Sequence, residues 1–179
     1  MPGIDPDRPF HPLNIAVLTV SDTRSLAEDR SGDLLAGRIT EAGHRLAARD
    51  IVTDERAKIA GRLAEWCADP GIDVVISTGG TGITGRDVTV EAHRDVYEKE
   101  IEAFATLFAV VSMESVGTSA MQSRATGGVA QGTVLFALPG STGACRDAWD
   151  RILRDQLDSR HGPCNLVTLM PRLDEHLRG

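Results

Sequence analysis

The chain has 179 residues, 41% of them apolar and only 4% aromatic, with a formal net charge of −7. That length suits one domain, and the shortage of aromatics calls for an aliphatic, alanine-rich core of the layered α/β kind. An acidic balance with no local basic stripe excludes a nucleic-acid surface and an anionic membrane as partners, so a small anionic ligand would need locally placed donors.

Residues 1–12 carry Pro2, Pro6, Pro9 and Pro12. They read as an extended arm, available to a neighbouring subunit, because proline suits neither a helix interior nor a central strand. MPGIDPDRPFHP has no apolar signal core, and no apolar run approaches about 20 residues, so the expectation is a cytoplasmic protein without a membrane helix. Asn14–Val20, NIAVLTV, is the first buried strand, closed by Ser21-Asp22-Thr23-Arg24. Ser31 is placed to cap a helix running to Ala42, with Leu35, Ile39 and Ala42 inward and Gly43 as the stop. A second strand lies within His44–Thr53.

Asp54 has two readings at that strand's end: a carboxylate presented to a ligand, or the N-cap of a helix over Arg56–Ala68. That helix buries Ile59, Leu63, Trp66 and Cys67, and Asp69-Pro70-Gly71 breaks it. The three cysteines Cys67, Cys145 and Cys164 are odd in number and form no CxxC pair, which excludes a disulfide framework and a zinc site. Cys67 and Cys145 fall in apolar helical patterns and read as inert buried thiols.

The chain is organised around residues 74–91, VVISTGGTGITGRDVTVE. Val74, Val75 and Ile76 read as a strand covered on both faces. Thr78, Gly79, Gly80, Thr81 and Gly82 then form a loop whose backbone N–H groups can approach an anion unobstructed. Beyond it Arg86 and Asp87 set a cation beside a carboxylate where a helix begins, with Asp87 or Thr89 as its cap. Ligands of open α/β sheets bind outside the carboxyl ends of the strands, which is this corner. Neither GxxxxGK[ST] nor a GxGxxG dinucleotide signature is present. The plainer reading is a tight strand-to-helix turn that the glycines merely permit.

Val90–Lys99 reads as helical, and Ile101–Met113 as a second helical run with Phe104, Leu107, Phe108 and Val111 on one face. Glu98, Glu100 and Glu102 mark a solvated boundary. Residues 117–124 form a small polar loop or short helix in which Ser123 and Arg124 are the notable donors. Ala125–Val129 and Thr133–Leu138 read as a hairpin turning at Ala130-Gln131-Gly132. A third strand-end loop follows at Pro139-Gly140-Ser141-Thr142, where Ser141 or Thr142 caps a long helix with Cys145, Ala148, Trp149, Ile152, Leu153 and Leu157 in its stripe. The tail from Pro163 has no strong period. Strands alternating with helices give a parallel α/β sheet, with one antiparallel member from the hairpin.

Four blocks, LTVSDTR near residue 18, STGGTGITGRDVTVEA from Ser77, SMESVGTSAMQSRATGGVAQGTVLFALPGST from Ser112 and PCN at 163–165, resemble the molybdenum cofactor biosynthesis proteins MoaB and MogA, with PGST as in the MoaB branch. The likeness spans residues 13–166, leaving 1–12 as the arm and 167–179 as a tail. It implies a three-layer α/β/α domain, assembled as a trimer or as a hexamer of two trimers, that binds molybdopterin. It further implies an adenylyltransferase using ATP and Mg²⁺, with Asp54 and Asp87 as the functional aspartates and the tentative Mg²⁺ ligands. Thr78, Gly79, Gly80, Thr81, Gly82 and Ser21 would then serve phosphate, and Ser123, Pro139, Gly140 and Ser141 the pterin side. The alternative is a non-catalytic pterin-binding or carrier protein of the same pathway.

Overall fold

The computed structural model describes residues 2–177. Six strands form one sheet in the order β3 (Arg45–Val52), β2 (Asn14–Val20), β4 (Val74–Thr78), β7 (Thr133–Leu138), β6 (Thr126–Ala130), β5 (Lys99–Glu100). β3, β2, β4 and β7 run parallel, β6 antiparallel to β7, and the two-residue β5 antiparallel to β6. The period of two along each strand sorts the core into two layers. Ile15, Val17, Val74, Ile76, Val134 and Phe136 face α1 (Arg30–Glu41), α4 (Glu102–Val116) and α5 (Thr142–Ala148); Ala16, Leu18, Val75 and Leu135 face α2 (Arg56–Cys67) and α3 (Thr89–Arg94). This is the expected α/β/α sandwich with one antiparallel strand.

Register decides where ligands meet the sheet. Thr19 pairs with Thr78, and Thr78 with Leu138, so β2, β4 and β7 end at one level and their following loops lie side by side.

Several local expectations are corrected. Asp29, not Ser31, caps α1, accepting from the Gly32 N–H; the fully buried carboxylate is also held by Thr19 and Arg49. Helix α3 stops at Arg94 instead of reaching Lys99, because the chain turns back to add β5 to the sheet. The long terminal helix is capped by Ser141, as read, but widens into a π turn over Trp149–Leu153 before a last turn at Arg154–Gln156. Gln131 and Gly132 turn the hairpin with φ of 51° and 84°. The arm packs on its own chain: Gly3–Ile4 (β1) pairs with His161–Gly162 (β8), and Phe10 lies 5.1 Å from His44.

On α4 the buried stripe is Phe104, Phe108, Val111 and Ser112, and Leu107 falls outside it at 51% exposure. Val110, Met113, Val116 and Met121 are also open. The continuous helical stretch Glu102–Gln122 is long and apolar enough by length and composition alone to cross a membrane, a longer apolar stretch than the sequence reading allowed, although a core helix meets the same measure. Its Phe104 face is part of the core, so the unexplained feature is its second apolar face.

Candidate functional site

Where the loops after β2, β4 and β7 meet there is a hollow of about 560 Å³. Asp54, arriving from the end of β3, and Asp87, from the turn before α3, both line it, although 33 positions separate them in the chain. Gly79–Gly82 form one wall, with Ser21, Ser123, Pro139, Gly140 and Ser141 around them.

The glycine loop is shaped by its neighbours. Gly80 has φ of 63°, and a Cβ there would stand 2.8 Å from the Asp54 Oδ1. On Gly82 a Cβ would lie 2.6 Å from the Asp87 Oδ2, so the two carboxylates flank the loop where side chains are missing. Thr89 ties the loop to α3, its N–H donating to the Gly80 carbonyl (2.9 Å) and its hydroxyl to that of Gly79 (2.8 Å). Neither Thr89 nor Asp87 caps α3, whose N-cap is Val88.

Two predicted donors are already engaged. The Gly79 N–H donates to the Leu138 carbonyl (3.0 Å), which stitches β4 to β7. Thr78 is fully buried under the loop, its hydroxyl donating to the Pro139 carbonyl (3.0 Å), and it does not line the hollow. The amides of Gly80 and Thr81, two residues that line the hollow, donate to no backbone carbonyl.

The carboxylates differ. Asp54 caps nothing: the N-cap of α2 is Glu55. Partial burial and then the neighbouring Asp22 carboxylate raise the Asp54 pKa above the usual aspartate value, against a backbone hydrogen bond from Asp22. Asp87 is held in the opposite direction, chiefly by the Thr84 hydroxyl (2.6 Å), with help from the Thr84 and Gly82 amides. Its anion is stabilised by the turn it closes, and one oxygen carries most of that work.

Two arginines outside the predicted set complete the surroundings. Arg124 donates through Nε to the carbonyls of Thr81 (3.1 Å) and Gly82 (2.9 Å) and through Nη2 to that of Asp87 (3.1 Å), and it forms an ion pair with Glu91. Arg24 bridges the Gly140 carbonyl and the Ser31 hydroxyl, both at 3.3 Å. Its neighbours Thr23, Arg30 and Thr142 line a second hollow of about 640 Å³ that adjoins the first through Arg24, Gly140 and Ser141. The visible signal for both residues was a cation beside small polar side chains at a strand-end loop.

A family profile described as "Probable molybdopterin binding domain" matches residues 16–159. The chain is 45% identical over 156 residues to molybdenum cofactor biosynthesis protein B of Escherichia coli K12, covering 87% of this chain and 92% of that protein. The Bacillus subtilis protein of the same name is 42% identical over 142 residues, covering 79% and 84%. A crystal structure of a molybdenum cofactor biosynthesis protein B superposes with a TM-score of 0.83 at 37% identity, covering 92% and 98%. The tungsten cofactor synthesizing protein MoaB of Pyrococcus furiosus does so at 0.71 and 35%, covering 80% and 92%. The chain therefore belongs to the molybdenum cofactor biosynthesis protein B family.

Proposed function

We propose that the hollow binds molybdopterin beside ATP and Mg²⁺ and catalyses adenylyl transfer, giving adenylyl-molybdopterin and pyrophosphate. An oxygen of the pterin's terminal phosphate bonds to the α-phosphorus of ATP. The bond from that phosphorus to the β-phosphate oxygen breaks, and pyrophosphate leaves with the electron pair. The observation that carries this reading is the meeting of Asp54 and Asp87 on either side of a glycine loop whose Gly80 and Thr81 amides donate to no backbone carbonyl. Gly80 and Thr81 would hold phosphate oxygens where negative charge builds. Ser21 would add a hydroxyl, and Ser123, Gly140 and Ser141 would line the pterin side.

Among the described residues no group of three or more acidic, histidine or cysteine side chains could hold a metal unaided. Two carboxylates suit Mg²⁺ nonetheless, because that ion is usually held by one or two carboxylates together with water and substrate phosphates. When bound it would neutralise charge on the transferring phosphate. Asp54 and the less occupied oxygen of Asp87 are the residues that would hold it.

The second reading, a pterin carrier without turnover, draws support from Asp87, whose bonds to Thr84 give it a structural task of its own. Purified protein mixed with molybdopterin, ATP and Mg²⁺ should release pyrophosphate in a metal-dependent way. Tight pterin binding with no release would establish the carrier instead. We further place the open face of α4 against other copies of this chain, in a trimer or a hexamer of two trimers, acting in the cytoplasm.

A further inference from the structure

Arg24 lines the hollow and Arg86 and Arg124 are the chain neighbours of the lining residues Asp87 and Ser123, and the donors of the three are committed to very different degrees. Arg124 is spent on three carbonyls and Glu91, so it has little left to offer a ligand. Arg24 is tied by one nitrogen to two uncharged acceptors. Arg86 makes a fork to Asp22 only: Nη2 lies 2.6 and 2.8 Å from the two carboxylate oxygens and Nε 3.1 Å from one of them. Both side chains are open, at 62% and 39% exposure, so the pair is water-screened and weak.

Its position is what gives it a use. Arg86 projects from the turn after the glycine loop and Asp22 from the loop after β2, so the pair joins the two loops beside the hollow, next in the chain to the lining residues Asp87, Ser21 and Thr23. Asp22 also accepts the Asp54 N–H at 3.0 Å, which puts the guanidinium beside the wall that carries Asp54. With Asp22, Asp54 and Asp87 together, a polyanion approaching this corner meets three carboxylates, and Asp22 already occupies the rim's exposed guanidinium. A planar fork that fits a carboxylate fits a phosphate equally well, and a polyphosphate offers more charge than one aspartate.

The geometry points to the Arg86–Asp22 pair as a latch that a polyphosphate opens: Arg86 leaves Asp22 for the β- and γ-phosphates of the nucleotide, and so distinguishes a triphosphate from a single phosphate. The nucleotide identity of the ligand rests on the adenylyl-transfer reading, whereas the exchange of partners does not require turnover.

Calorimetric titration of inorganic tripolyphosphate into four proteins tests it: the unaltered chain, Arg86→Gln, Asp22→Asn and the double variant. Losing the charged fork should weaken tripolyphosphate binding about tenfold, the size of a charge-assisted hydrogen bond. Asp22→Asn should strengthen binding severalfold by freeing Arg86, and that gain should shrink in the Arg86→Gln background to the part due to lost repulsion from the Asp22 carboxylate. Orthophosphate affinity should change little in any of them. Unchanged affinity in Arg86→Gln, a gain from Asp22→Asn that is undiminished without the arginine, or no measurable tripolyphosphate binding by the unaltered chain would each overturn the latch. Because both residues are exposed, thermal unfolding should match across the set, and Arg86→Lys replaces any variant that fails this check. Pyrophosphate release by the unaltered chain is measured alongside. Its absence with a non-additive cycle sinks adenylyl transfer and leaves the latch standing, and the converse result sinks the latch alone.

Discussion

Asp54 and Asp87 line one hollow yet stand in opposite relation to the fold's stability. Asp87 has its pKa held down by Thr84 and the loop amides, so its ionised form stabilises the native state. That contribution is present above the ordinary aspartate pKa of 3.8 and is lost as pH falls through the lower folded value. Asp54 has its pKa raised by burial, so its contribution is largest below 3.8 and is lost as pH rises through the higher folded value. At neutral pH, therefore, Asp54→Asn should leave the melting temperature unchanged or raise it. Asp87→Asn should cost about 1 kcal/mol, the worth of one charge-weakened hydrogen bond, without unfolding the domain. Both should abolish pyrophosphate release if the carboxylates serve the transferring phosphate. Thermal melts run beside the turnover assay check the pair, and a domain that fails to fold as Asp87→Asn would assign that residue to the turn alone.

At the scale of elements, the loop 79–88 is held from outside itself. Its carbonyls are gathered by Arg124, which arrives from the segment joining α4 to β6, and its helix is tied back through Thr89. Arg124→Gln should cost about 2 kcal/mol, since several bonds from a charged donor go at once. Amide exchange should quicken across 79–88 with little change elsewhere, and the rate constant for turnover should fall more than pterin affinity. Lysine should not rescue it, because a point charge cannot serve three carbonyls and a carboxylate in one plane. Exchange rates unchanged from the parent would remove Arg124 from this role.

This is also the scale at which reading the sequence met its limit. The buried strands, the hairpin and the gathering of glycine-rich loops at the strand ends were legible, because uninterrupted β-branched runs and clustered glycines are local signals. So was the pairing of Asp54 with Asp87, though only through resemblance. What Thr78, Gly79 and Arg124 do depends on partners 40 or more positions away, at Leu138, Pro139 and Thr81. Which loop donors are already engaged is fixed by those partners and not by residue type. The caps expected at Ser31 and Thr89 failed for a more local reason: the Asp29 carboxylate takes the Gly32 amide, and the Thr89 hydroxyl turns back to the Gly79 carbonyl.

For the whole molecule, the sheet explains one face of α4 and leaves the other unexplained. Phe104, Phe108 and Val111 complete the core, while Leu107, Val110, Met113 and Val116 lie between 51% and 57% exposed along the outer side. A shallow hollow of about 540 Å³ beside them, lined by Val110, Met113, Ala120 and Met121 among others, is almost wholly apolar. Apolar surface gathered in this way on one element marks a docking face and not a solvated helix. A second copy of the chain fits it, since the lining of that hollow has no charge with which to select a basic or acidic partner and homo-oligomers dominate such interfaces. The expected assembly is a trimer, or two trimers together, in sedimentation equilibrium. Val110→Glu should shift it to monomers, because an unpaired carboxylate cannot be buried at an apolar contact without a penalty of several kcal/mol. The position is open in the isolated chain, so the monomer should keep its fold by circular dichroism. The link from this face to the site is short, running from α4 through Gly117–Gln122 to Ser123 and Arg124. Monomers that retain full turnover would show that the loop holding Asp87 is set within a single chain; a loss of turnover in proportion to dissociation would show that assembly helps to hold it.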